Sequence, residues 1–230
     1  MINKNIEALL QIMQILNFTA CLISIFIGLK YLKLNKLNKL LVLLPILSLL
    51  QILGSEFISF CRSCFQKSNE ILQIIVLVYT ILEFIIITIF IFHTELNSSY
   101  KKIIPIASLF IFLTIGFDIY LISNDRNELS LDYFNLFEGI FFISILSIGL
   151  ITQLRKSSFS ETFLNSIWIS KSGILLAFLI FWPNSVIQNV ILKNLKLFYK
   201  YVFISNSTGY LILYIFLSFS FYASRKSRIN

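Results

Sequence analysis

The sequence is poor in histidine, cysteine and charged residues. It has one histidine, three cysteines and three prolines in 230 residues, and 13% of its residues are charged. A lone histidine, His93, without metal-spaced companions excludes a zinc protease or another hydrolase built on histidine. Cys61 and Cys64 form a CxxC pair outside any redox or zinc context, which leaves a local disulfide or two thiols as the alternatives. We therefore predict no metal, cofactor or catalytic residue.

No polar stretch is long enough to form a soluble domain. The chain is 57% hydrophobic with a mean hydropathy of +0.86, which is more apolar surface than a soluble domain of this length could bury. Its apolar runs are about 20 residues long and apolar on all sides, as in transmembrane helices. The strands of a membrane barrel are shorter and alternate apolar with polar residues. The sequence predicts an all-α integral membrane protein, a bundle of seven transmembrane helices in a single domain over residues 1–230. The predicted helices cover residues 6–29, 40–57, 71–92, 103–122, 133–154, 166–186 and 198–223.

The three prolines bear on the predicted helix ends. Pro45 lies inside the second apolar run and is a candidate kink. Pro105 is predicted to lie in the first turn of the fourth helix, where its missing amide proton costs little. At Trp182-Pro183-Asn184 the sixth run either stops or kinks and continues to about residue 192. The end of the sixth helix therefore stays open.

The formal net charge is +8, and the basic residues cluster at the ends of apolar runs. This placement favours membrane topology over nucleic-acid binding. If the loop from Lys30 to Lys39 is cytoplasmic, eleven basic residues fall inside and seven outside, so the N-terminus is predicted outside and the C-terminus in the cytoplasm. The eleven basic residues on the predicted cytoplasmic side are Lys30, Lys33, Lys36, Lys39, Lys101, Lys102, Arg155, Lys156, Arg225, Lys226 and Arg228.

High usage of Ile, Phe, Asn and Lys indicates a bacterium, and hence a multi-pass protein of the inner membrane.

Glu83 is the most informative polar residue, because it lies near the middle of the third apolar run. At about 1.5 Å per residue it is roughly 18 Å deep. A charge at that depth costs roughly 3 kcal/mol or more, so it needs a partner, a proton or a wet cavity. Other polar residues favour the outer half of the membrane, and together they predict a polar cavity that opens outward above Glu83. The candidate residues for this ligand or proton site are Glu83, Tyr79, Glu138, Asp118, Glu56, Asn184, Asn206 and Tyr210.

The four carboxyl candidates and Lys171 each have a structural alternative. Glu56, Asp118 and Glu138 lie close enough to helix ends to be interface residues without a special role. Glu83 itself is alternatively a neutral carboxylic acid that hydrogen-bonds between helices. Lys171 is the candidate counter-charge for Glu83 or Glu138, although its long stem is expected to snorkel to the inner surface.

Two known seven-helix classes match in size but not in detail. Microbial rhodopsins need a lysine in the seventh helix, and residues 203–222 contain none. Small seven-helix sugar transporters have prolines in equivalent helices of two repeats, which positions 45, 105 and 183 do not reproduce. With YTILEF in the third run and FWPN in the sixth, the chain resembles receptor-type seven-helix modules and small orphan seven-helix proteins of bacteria. This resemblance implies a receptor-like role.

Two functions from different classes follow. The first is a receptor-like or regulatory module whose outward cavity takes a small ligand and whose inner loops contact a membrane or cytoplasmic partner and anionic lipid headgroups. The alternative is a small-solute or proton-coupled transporter that uses Glu83 at the midplane. The receptor is favoured, since no repeats or matched broken helices are present. An enzyme acting on lipid through the carboxylates stays open.

Overall fold

The computed structural model describes residues 2–31, 36–60, 68–95, 98–125, 132–156, 165–190 and 196–226. In these ranges all regular structure is helical, and the seven helices found there are long and apolar enough to cross a membrane. The prediction of seven membrane-length helices is confirmed. They are α1 (Ile2–Lys30), α2 (Lys36–Phe60), α3 (Ser68–Thr94), α4 (Ser98–Asp125), α5 (Asp132–Lys156), α6 (Ser166–Val190) and α7 (Lys196–Lys226).

Most helices extend past the predicted apolar runs, because polar residues continue the backbone hydrogen bonding beyond the membrane-length segment. This corrects the prediction for Pro105. Since α4 begins at Ser98, Pro105 lies inside the helix and not in its first turn. Pro183 is also internal, because α6 continues to Val190. A membrane-length helix tolerates proline when the freed backbone groups find other partners.

The helices form a ring in which neighbours along the chain are neighbours in space. Each helix packs against the next, α3 touches α4 least, and α7 closes the ring against α1. Consecutive helices are antiparallel. Between α5 and α6, for example, Phe142 contacts Phe178, and the later Gly149 lies beside the earlier Lys171. Odd-numbered helices therefore all end at one end of the bundle. We name this the basic end, because Lys30, Lys36, Lys101 and Lys102 lie there.

Close helix contacts depend on small residues, as they do in membrane bundles. A Cβ at Gly173 would collide with Phe216, and one at Gly209 would collide with Phe181, so α6 and α7 approach at both glycines. Ser170 donates a hydrogen bond of 2.6 Å to Ser220 across the same pair of helices. The outward faces are apolar, with Phe26 70% and Leu113 65% exposed. An apolar surface of this extent is typical of contact with lipid.

Candidate functional site

A cavity of about 180 Å³ lies between α3, α5, α6 and α7. Its polar centre consists of Glu83 from α3 and Glu138 from α5, which are 7% and 6% exposed. Asn206 and Tyr210 of α7 also line the cavity, so four of the predicted site residues share one space. Glu138 and Asn206 lie in the half of the bundle away from the basic end, and Glu83 and Tyr210 lie near the middle of their helices. The described residues that line the cavity are Thr80, Glu83, Asn135, Glu138, Gly139, Phe178, Phe181, Trp182, Asn206 and Tyr210.

Trp182 forms the best-anchored part of the cavity wall. Its indole Nε1–H donates a hydrogen bond of 3.1 Å to the backbone carbonyl of Leu136. The indole also packs so closely on Gly139 that a Cβ there would collide with it. Phe181 adds a second ring, with its centroid 4.5 Å from that of Tyr210. The cavity thus combines two carboxyl groups with aromatic rings held by packing and hydrogen bonding.

Tyr79 lies behind Glu83 and connects it to α2. The Tyr79 and Ser48 hydroxyl oxygens are 3.0 Å apart, within hydrogen-bond distance. Tyr79 is also close enough to Glu83 and to Tyr210 to interact electrostatically with them. Oε1 of Glu83 is buried without a hydrogen-bond partner among the described residues. Tyr79 is therefore an electrostatic neighbour of Glu83, whose Oε1 has no hydrogen-bond partner in this part of the chain.

Glu83 and Glu138 are close enough to interact electrostatically. Two buried carboxyl groups in one apolar surrounding cannot both carry a charge cheaply. A proton or a bound cation would relieve the repulsion. The arrangement is therefore suited to binding positive charge.

Asp118 of α4 is buried outside this cavity, next to the first turn of α5. Its two carboxylate oxygens accept hydrogen bonds from the backbone N–H groups of Phe134 at 2.9 Å and Tyr133 at 3.3 Å. These N–H groups belong to the first turn of α5, where no intrahelical acceptor exists. Asp118 thus caps a neighbouring helix, as an N-cap side chain does within one helix.

We expect Asp118→Ala to lower the free energy of unfolding by about 1–3 kcal/mol, because it leaves buried backbone donors without an acceptor. Thermal unfolding of the purified protein in detergent measures this loss. Thr114→Ala is the control on the same helix, since the Thr114 hydroxyl bonds to Ile111 of its own helix. Equal stability of Asp118→Ala and Thr114→Ala would show that Asp118 does not cap α5.

Four other positions singled out in the sequence lie apart from the cavity or outside the described part. Glu56 is exposed on α2 and does not line the cavity. The backbone of Asn184 is part of α6, and its side chain is not among those that the structure describes. Cys61 and Cys64 also lie outside the described residues.

Lys171 corrects the sequence interpretation. It is 2% exposed, so it does not snorkel to the surface. Its Nζ lies 3.9 Å from Oε2 of Glu95 and donates a hydrogen bond of 3.2 Å to the carbonyl of Thr94. Gly149 of α5 makes room for this pair, because a Cβ there would lie 3.1 Å from Oε2 and 3.2 Å from Nζ. Lys171 is thus the counter-charge of Glu95 near the basic end, and not of Glu83 or Glu138.

Several residues of these two sites were not predicted from the sequence. Asn135, Thr80 and Trp182 were not assigned to the cavity, and Glu95 fell after the predicted end of the third helix at residue 92. Asn135 lies one turn before Glu138 on a helix, which is a signal that the sequence did offer. The pairing of Glu95 with Lys171 had no such signal, since 76 residues separate the two positions in the sequence.

The fold and the site define a bundle of seven membrane-length helices with a buried acidic and aromatic cavity. Within the described ranges, no three His, Cys, Asp or Glu residues are grouped as a metal site. Comparison of the chain with protein families, with curated proteins and with solved structures gave no match.

Proposed function

We propose that the chain is a receptor-like or regulatory module of the bacterial inner membrane, with its N-terminus outside and its C-terminus in the cytoplasm. The cavity around Glu83 and Glu138 faces outward in this orientation and takes a small ligand. The observation that carries the proposal is the pair of buried carboxyl groups in a cavity with an aromatic wall. Pockets with a few convergent polar groups and apolar walls are the usual form of small-ligand sites.

The position of the Lys171–Glu95 pair supports transmission to the cytoplasmic side. Helices α3, α5 and α6 carry residues of both the cavity and the ion-pair region. Lys171 precedes Phe178 by seven residues on α6, which is roughly 10 Å along the helix. A ligand that moves Phe178 or Trp182 would therefore act on α6 close to the ion pair. The lysines of the basic end would contact anionic headgroups and a membrane or cytoplasmic partner.

The test of this proposal is cross-linking in cells. A photo-reactive residue at Lys102, which is exposed near the basic end, should capture a defined partner. We expect Glu83→Gln to change the yield of that cross-link, because it alters the cavity and leaves position 102 untouched. Glu56→Gln is the matched control, as Glu56 is an exposed glutamate outside the cavity. A cross-link that does not respond to Glu83→Gln would contradict a receptor role for the cavity.

A transporter is the second candidate, because Glu83 lies within the membrane-length segment Ile74–Thr94 with one oxygen lacking a protein partner among the described residues. Intramembrane carboxyl groups of this kind often carry protons or cations. Proteoliposomes with an internal pH dye separate the two functions. The receptor predicts no proton flux above that of empty vesicles. A flux that disappears with Glu83→Gln and persists with Glu56→Gln would establish the transporter.

A further inference from the structure

We propose that the cavity binds a small organic cation, namely a protonated primary amine with a short hydrocarbon part. This inference rests on the proposed function, since it names the ligand class of the same cavity. Three features support it independently: the charge of the cavity, its aromatic wall and its size.

The described lining residues give the cavity a negative or neutral charge. Glu83 and Glu138 supply two carboxyl groups, and none of the described lining residues is basic. Lys171 is engaged with Glu95 and Thr94 near the basic end. The Glu83 side chain lines the cavity, and its Oε1 is buried without a hydrogen-bond partner in the described part of the chain. A ligand in the cavity would reach this oxygen after the carboxyl group rotates about the last side-chain bond, a soft torsion in glutamate. A buried carboxylate is costly without a partner, and an ammonium group offers three N–H donors.

The aromatic wall adds a second attraction for a cation. Phe178, Phe181, Trp182 and Tyr210 all line the cavity. A cation near an aromatic face is attracted by the electrons of the ring, and tryptophan is the strongest partner. Trp182 is already held by Leu136 and Gly139, so little ordering is needed on binding. The rings also accept the hydrocarbon part of the ligand.

The size of the cavity limits the ligand. Its volume of about 180 Å³ is similar to that of an engineered protein cavity of about 150 Å³ that binds benzene. A short alkylammonium ion fits this space, and a primary alkylamine is protonated at neutral pH as a lysine side chain is.

The competing explanation is a proton shared between Glu83 and Glu138, with no ligand. That arrangement predicts no response of the site to an amine at constant pH. The experiment is a titration of the purified protein in detergent with n-butylammonium, with 1-butanol as the neutral analogue and butyrate as the anionic one. Trp168→Phe leaves Trp182 as the sole tryptophan, so its fluorescence reports on the cavity wall. Thermal unfolding of the chain without this substitution provides a second measurement.

We expect a saturable change with n-butylammonium that neither analogue produces. Glu83→Gln and Glu138→Gln should each weaken binding by about tenfold or more, because each removes a charge-assisted hydrogen bond. Glu56→Gln should bind as the unsubstituted chain does. No saturable response to the amine, in fluorescence or in thermal unfolding, overturns the inference. Equal losses in Glu56→Gln and Glu83→Gln overturn it as well.

Failure of this inference is distinguishable from failure of the proposed function. If 1-butanol or butyrate binds and Glu83→Gln abolishes that binding, the ligand class is wrong and the receptor role stands. If n-butylammonium binds but the yield of the cross-link at position 102 does not change with Glu83→Gln, the cation site is supported and the receptor role is contradicted.

Discussion

Lys171→Met is expected to lower the free energy of unfolding by about 3–5 kcal/mol, because it removes one charged member of a buried ion pair. Both side chains of the pair are 2% exposed, so water does not compensate for the loss. The carbonyl of Thr94 also loses a hydrogen bond from Nζ. Thermal or denaturant unfolding of the protein in detergent measures the effect.

The double variant Lys171→Met with Glu95→Gln separates the cost of an unpaired charge from the cost of lost packing. We expect it to recover much of the stability, since replacing both members of a buried pair is often close to neutral. Lys102→Met is the control, because Lys102 is exposed near the same end of the bundle. If Lys171→Met were as stable as Lys102→Met, the ion pair would make no measurable contribution to the free energy of unfolding.

Gly139→Ala is expected to destroy binding in the cavity and to destabilise the bundle by about 1–3 kcal/mol, a typical cost of overpacking. The added Cβ would overlap the Trp182 indole at Cδ1 and at Cγ, the atom that joins the ring to the rest of the side chain. The indole must then move away and lose its hydrogen bond to Leu136. The measurements are unfolding in detergent and the n-butylammonium titration.

Gly116→Ala is the matched control for this change. Gly116 also lies within a helix, but a Cβ there meets no other group within 4 Å. Alanine has a higher helix propensity than glycine by roughly 0.8–1 kcal/mol, so this control should be as stable as the original or slightly more so. Unchanged n-butylammonium binding in Gly139→Ala would mean that Trp182 does not shape the cavity.

The cavity was predictable in part. Glu83 drew attention because a carboxyl group in the middle of an apolar run is expensive, and depth along the helices grouped it with Glu138 and Asn206. Tyr210 joined the group because it lies four residues after Asn206, on the same helix face. Depth alone gives a level in the membrane and not a direction around the helix axis. For this reason Asp118 and Glu56, which lie at a similar level, were grouped with the cavity although one caps α5 and the other is exposed.

The number and approximate extent of the helices were determined by the sequence itself, because each apolar run must satisfy its own backbone hydrogen bonds in a membrane-length helix. The tertiary structure decided which side chains meet. It set Lys171 against Glu95, closed α7 onto α1, and placed Trp182 on Gly139 beside two carboxyl groups. These contacts depend on how each helix is rotated and on where small residues allow close approach, and the seven nearly uniform apolar runs carry little information about either.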